Sequence, residues 1–150
     1  MHSINRSGGG IPKLPVESAW ITADGVEGDG HDDMQHHGGP DRAVCLYSLE
    51  LIDALAREGH PVGVGTLGEN LTLAGVDWGL VTPGALLQAG DVELEIVSYT
   101  GPCKTIRRSF AGERFKRVSQ KLHPGWSRVY ARVLGPGLVT VGDAVTIRGG

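Results

Sequence analysis

Apolar and polar residues alternate in short runs along most of this chain. In residues 92–97, Val92, Leu94 and Ile96 fall on one side of an extended backbone while Glu93 and Glu95 fall on the other, the period-two pattern of a half-buried strand. Residues 17–22 alternate enough to predict a second strand, and residues 43–47 (Ala-Val-Cys-Leu-Tyr) a buried one. Residues 70–73 and 129–134 are further strand candidates. Residues 85–92 and 138–145 both read as strand, Gly-Asp turn, strand, the pattern of an antiparallel hairpin. Residues 11–16 hold Pro12 and Pro15, which keep the backbone extended but unsuited to a central strand.

Helical spacing appears twice. Ser48 reads as an N-cap with Glu50 in the first turn; Leu51, Ile52, Leu55 and Ala56 follow on one face, and Gly59 fits the stop. Phe115, Val118 and Leu122 predict a second helix over residues 113–122. Residues 25–40 form a long polar loop rich in Gly, Asp and His, a length that in a compact domain points to function or disorder. Many short strands joined by tight turns, in a chain with 24 glycines, favour a small barrel or sandwich.

A length of 150 residues with 40% hydrophobic and 21% charged residues fits one globular domain spanning 1–150 with a real core. A net charge of -3 argues against a broad nucleic-acid surface. No apolar run approaches the roughly 20 residues that span a bilayer, and the first residues lack an apolar targeting core. Two cysteines in unlike contexts do not suggest a disulfide framework, so the expectation is a cytoplasmic protein without a membrane or nucleic-acid partner.

The two cysteines divide by context. Cys45 lies in an apolar run and reads as core. Cys103 lies in Gly101-Pro102-Cys103-Lys104, at the end of the 92–97 strand, with Arg107 and Arg108 just after. A lone cysteine is often a small core hydrophobe. Polar and cationic neighbours instead suit a thiolate that binds a soft metal or attacks an electrophile. The polar loop carries Asp29, His31, Asp32, Asp33, His36, His37, Asp41 and Arg42, but the spacing does not support a dedicated zinc site. Within it, His37-Gly38-Gly39-Pro40-Asp41-Arg42 allows close backbone approach to a ligand, with Arg42 able to hold an anion. Asn70 can read an amide edge or cap a turn. There is no Gly-x-Ser-x-Gly elbow and no phosphate loop; a cysteine hydrolase would pair Cys103 with His37 or His123.

Taken in order, these segments resemble the MOSC family, the domain found at the C-terminus of molybdenum-cofactor sulfurases. The resemblance rests on Ser3-Ile4-Asn5-Arg6-Ser7, Ile11-Pro12-Lys13-Leu14-Pro15-Val16, Gly28-Asp29, His37-Gly38-Gly39-Pro40-Asp41-Arg42-Ala43-Val44, Gly68-Glu69-Asn70-Leu71-Thr72, Pro102-Cys103 and Gly142-Asp143-Ala144-Val145. It covers nearly the whole chain and is nearest to the stand-alone bacterial type. It implies a mainly β fold, a pyruvate-kinase-type β-barrel with a few short helices. It also implies a molybdenum cofactor (molybdopterin) in a cleft, with Cys103 as the molybdenum ligand and catalytic thiol. Lys13, Arg42, Lys104 and Arg128 then become candidates for the pterin's phosphate, and His37 and Asn70 for the pterin or substrate. Related proteins reduce N-hydroxylated small molecules with electrons from a separate redox partner, and many bacterial ones carry a helical extension after the last barrel strand, which this sequence is expected to lack. The alternative implied role is a non-enzymatic carrier that delivers the cofactor, or sulfur on Cys103.

Overall fold

The computed structural model describes residues 1–30 and 39–149. Eleven strands and one α-helix are present among them: β1 (Ser3–Arg6), β2 (Leu14–Val16), β3 (Ser18–Thr22), β4 (Gly25–Val26), β5 (Val44–Ser48), α1 (Leu49–Arg57), β6 (Leu71–Leu73), β7 (Leu86–Ala89), β8 (Val92–Tyr99), β9 (Val129–Gly135), β10 (Gly137–Thr140) and β11 (Val145–Arg148). They form an eight-stranded sheet in the order β11-β7-β8-β9-β5-β6-β1-β2 and a three-stranded sheet, β10-β3-β4. The fold is mainly β with few helices, as expected. The recorded ladders leave both sheets open, however, and do not close a barrel.

All pairs are antiparallel except β5 with β6, where Leu46, Tyr47 and Ser48 lie beside Leu71, Thr72 and Leu73. A parallel pair needs a crossover, and α1 supplies it. The helix begins where Ser48 Oγ accepts a hydrogen bond from the amide of Leu51, and stops at Gly59, whose φ of 102° suits glycine. Its buried face, Ile52 and Leu55, packs with Tyr47, Leu67, Ile106, Phe110 and Val118 in a small cluster. The main core lies among the inward residues of both sheets, including Ile4, Ile21, Leu46, Leu71, Leu94, Ile96 and Val139. Trp78 packs against both clusters.

Residues 138–145 are strand, Gly-Asp turn, strand as expected, but no hairpin forms between the two strands: β10 pairs with β3 and β11 pairs with β7. The Asp143 carboxylate instead accepts from the amide of Thr140 at 2.8 Å, turning the chain from one sheet to the other. The helix over 113–122 is also absent. Ala111–Glu113 and Phe115–Val118 form short 3₁₀ turns, because Gly112 and Glu113 both take positive φ, 64° and 57°. Positive φ breaks a right-handed helix, and the three-residue spacing of Phe115 and Val118 serves a 3₁₀ turn equally well. Leu122 is consequently exposed.

Ser48→Ala removes the helix cap and is expected to lower unfolding free energy by about 1 kcal/mol. Leu55→Ala, at a fully buried position, should cost about 2–5 kcal/mol. Urea unfolding followed by circular dichroism checks both.

Candidate functional site

The site is assembled from residues on or just beyond β1, β5, β8 and β9 of the larger sheet. Asp29 anchors one side, with its side chain 1% exposed. Its Oδ1 accepts from the amide of Ser7 at 3.0 Å, and its Oδ2 accepts from Lys13 Nζ at 2.6 Å and Asn70 Nδ2 at 2.9 Å. Lys13 is therefore buried and paired, not a free surface lysine. Its main chain is fixed by a hydrogen bond from its amide to the carbonyl of Gly65 at 2.9 Å. Gly65 has a φ of 82°, and a Cβ there would overlap the carbonyl of Lys13, so only glycine fits.

Asn70 acts as a rung between strands. Its Oδ1 accepts from the amide of Cys45 at 3.0 Å, and its Nδ2 also donates to the carbonyl of Asn5 at 3.3 Å. The amide of Asn70 donates to the carbonyl of Cys45 at 2.8 Å, and its carbonyl accepts from the amide of Asn5 at 2.7 Å. Each polar group of this buried residue thus has a partner, and its role is structural as well as local to the site. Asn5 continues the network, accepting from Ser3 Oγ and donating to Thr72 Oγ1 and the carbonyl of Glu69.

On the other side, Thr100 donates its amide to the carbonyl of Arg128 at 2.9 Å, the last rung joining the end of β8 to the start of β9. Gly101 and Pro102 then carry the chain out to Cys103, which is partly exposed and caps the 3₁₀ turn Lys104–Ser109. Its Sγ lies 2.7 Å from Thr105 Oγ1. Tyr130 joins the two sides. It is buried, and its hydroxyl is pushed up to about 12, chiefly by burial, with Cys45 and Cys103 adding to the rise and Arg128 and Arg42 opposing it. Arg42 also stands over the Tyr130 ring at 5.9 Å.

Arg128 is 4% exposed. Its Nη1 donates to the carbonyl of Leu67 at 2.7 Å, while Nε and Nη2 are buried without a hydrogen-bond partner among the described residues. Cys45 is buried as expected, but it also faces this region: its Sγ lies 3.9 Å from Thr100 Oγ1. Burial raises its thiol pKa, with Arg128 opposing the rise. Lys104 is exposed, and its carbonyl accepts from Arg107.

The sequence-based candidates therefore separate. Lys13 and Asn70 meet at Asp29. Arg42 lies over the Tyr130 ring, while Arg128 and Cys103 flank the joined ends of β9 and β8. Lys104 lies outside on the surface. His37, with the rest of 31–38, lies outside the described residues, and no cluster of metal-ligating side chains occurs among those that are described. His123 lines a different cleft of about 760 Å³, with Glu58, His60 and Arg117, which does not include Cys103. Sequence marks Asp29 only as one polar residue of the loop and part of the family motif, and it does not mark Tyr130 or Thr100. Gly28-Asp29 before a polar loop was the available signal for the first; nothing in an alternating strand marks Tyr130.

A soft ligand and a set of cations are what a molybdenum-pterin group needs, and this donor set fits. Cys103 offers a reachable thiol, and Arg128 offers donors that nothing in the described chain satisfies. Glu69 sits beneath, its Oε2 accepting from the amide of Gly65 and from Thr72 Oγ1 while Oε1 is unpaired. Burial raises its carboxyl above the ordinary 4.5, against the opposing pull of those hydrogen bonds and of Arg128.

The MOSC domain profile matches residues 33–146. Protein YflK of Bacillus subtilis is 34% identical over 139 residues, covering 89% of this chain and 60% of its own. Protein YiiM of Escherichia coli is 29% identical over 136 residues, covering 87% of this chain and 59% of its own. The crystal structure of YiiM from Geobacillus stearothermophilus superposes with a TM-score of 0.73 at 25% identity, over 97% of this chain and 73% of that one. The chain thus spans about 60% of the length of the two curated relatives.

A raised carboxyl binds its proton more tightly in the folded state than in the unfolded one. Its favourable contribution is complete below the unfolded value near 4.5 and is lost as pH rises through the folded value. Wild-type stability is therefore expected to fall as pH climbs above 4.5, and Glu69→Gln to flatten that decline. Urea midpoints across a pH series measure it; an unchanged slope in the variant removes Glu69 as the cause.

Proposed function

The chain belongs to the MOSC domain family, which is associated with molybdenum-cofactor binding, and from that membership we propose that it holds this cofactor through Cys103 and reduces N-hydroxylated small molecules. The observation that carries the proposal is the placement of Cys103. It is a partly exposed thiol just past the last rung of β8, where the amide of Thr100 meets the carbonyl of the buried Arg128. When bound, the cofactor would supply a metal able to pass electron pairs to an N–O bond, with electrons drawn from a separate redox partner.

The chain's own residues have distinct tasks in this reading. Cys103 holds the metal through its sulfur, a soft ligand suited to a transition metal. Arg42 and Arg128 offset negative charge brought in by the cofactor. Tyr130 keeps its proton at neutral pH and so adds no negative charge to the site. The buried Lys13–Asp29 pair and Asn70 hold the β1 and β5 ends in place, so they position the site without contributing a free charge.

A carrier role is the second reading. The specific feature favouring it is the exposure of the segment around Cys103, with Gly101 and Lys104 open to solvent, which would let a partner reach the sulfur.

Protein from a cofactor-competent host grown with molybdate is expected to carry close to one molybdenum per chain. Cys103→Ser should reduce that at least about tenfold, because a hydroxyl is a poor soft-metal ligand. Metal analysis decides it: retained molybdenum in the variant refutes the ligand assignment. A persulfide on Cys103 by mass spectrometry, without turnover, would instead select the carrier.

A further inference from the structure

We infer that Arg128 is a built-in receptor for a two-oxygen anion, a phosphate or carboxylate group seated on the Nε–Nη2 edge of its guanidinium. The inference deepens the cofactor reading of the same site. It rests first on geometry. Nε and Nη2 lie along one edge of the planar guanidinium, the edge that pairs bidentately with carboxylate and phosphate oxygens. In this protein that edge is buried and has no hydrogen-bond partner among the described residues. The remaining nitrogen, Nη1, is tied to the carbonyl of Leu67 at 2.7 Å, which fixes the plane and the direction of the open edge.

The usual alternative, an internal carboxylate, is not supplied. Asp29 is paired with Lys13 and Asn70. Glu69 feels the charge of Arg128 but commits Oε2 to Gly65 and Thr72, and makes no ion pair with Arg128. Leaving a cation buried without its counter-charge is costly. A site retaining one gains whatever that cost is when an anion arrives. The surroundings suit such a guest: Cys45 and Tyr130, both within the field of Arg128, bring no negative charge at neutral pH, since burial raises the Cys45 thiol and the Tyr130 hydroxyl alike.

Arg117 also has a buried nitrogen without a hydrogen-bond partner among the described residues, Nη1, but its Nε and Nη2 already hold the Glu58 carboxylate at 2.9 and 2.7 Å, so its fork is taken. Lys13 is neutralised at 2.6 Å by Asp29, and Lys104 is exposed on the surface. The anion is therefore assigned to Arg128 rather than spread over a basic patch. The same fork would accept the phosphate of a bound cofactor or an oxyanion on a substrate.

The test uses the full chain from a host that makes no molybdenum cofactor, with inorganic phosphate as the probe and chloride at matched ionic strength as the control. Saturable binding by calorimetry and a raised thermal midpoint are expected for the wild type. Arg128→Lys keeps the charge but loses the fork, and should bind phosphate at least about tenfold more weakly; Arg128→Gln should abolish binding, and Lys104→Ala should leave it unchanged. No phosphate effect beyond chloride, or undiminished affinity in Arg128→Lys, overturns the inference. If Arg128→Gln does not fold, Arg128→Lys carries the test. Molybdenum content is read separately: phosphate binding through Arg128 in a chain that never takes up molybdenum keeps the receptor, refutes the cofactor reading and makes the guest a substrate oxyanion. In a loaded chain, exclusion of phosphate marks the cofactor's own phosphate as the occupant, and retained binding marks a substrate group; both keep the receptor.

Discussion

The buried ion pair between Lys13 and Asp29 is the constraint on which the rest of the site depends. A charge withdrawn from water must be met by an opposite charge and by hydrogen bonds. Asp29 meets all of these demands at once, through Lys13, Asn70 and the amide of Ser7. Three segments far apart in sequence, residues 5–13, 29 and 70, are thereby held to one point. Asn70 passes the constraint on to β5 by pairing with both backbone groups of Cys45. Removing one member of such a pair typically costs about 3–5 kcal/mol, because its partner is left charged and unsatisfied.

Much of the β architecture was legible because its signals are local. The alternation at Val92, Leu94 and Ile96 and the Ser48 cap with Gly59 stop each depend on neighbours within a few residues, and each matches the structure. What failed depends on distance. Residues 138–145 have the chemistry of a hairpin, but which strands pair is decided by β3 and β7, more than a hundred and about sixty residues away in the chain. The backbone at Gly112 and Glu113, with φ values of 64° and 57°, broke a helix that side-chain spacing alone suggested.

The site shows the same division. Residue type marked Cys103 and the cations, and family resemblance grouped them. Type alone could not say that Lys13 is already neutralised while Arg128 keeps an open edge, because the difference lies in the partners that folding supplies. Cys45 illustrates the point from the other direction. It is core by its apolar neighbours and by its 7% exposure, yet its sulfur faces the region of Thr100, Arg128 and Tyr130.

Charge pairs in this protein fall into two electrical classes. Arg132 bridges Asp41 and Glu95 at 2.8 and 3.2 Å, with all three side chains substantially in contact with solvent. Mobile ions in solution have a screening length of about 8 Å at physiological strength and damp such exposed contacts. They have no access to Asp29, whose side chain is 1% exposed. Salinity would therefore loosen the clasp that joins Asp41 to β9, while the Lys13–Asp29 pair kept its shape. The ionic composition of the surroundings thus acts on the rim of the site and leaves its base insulated.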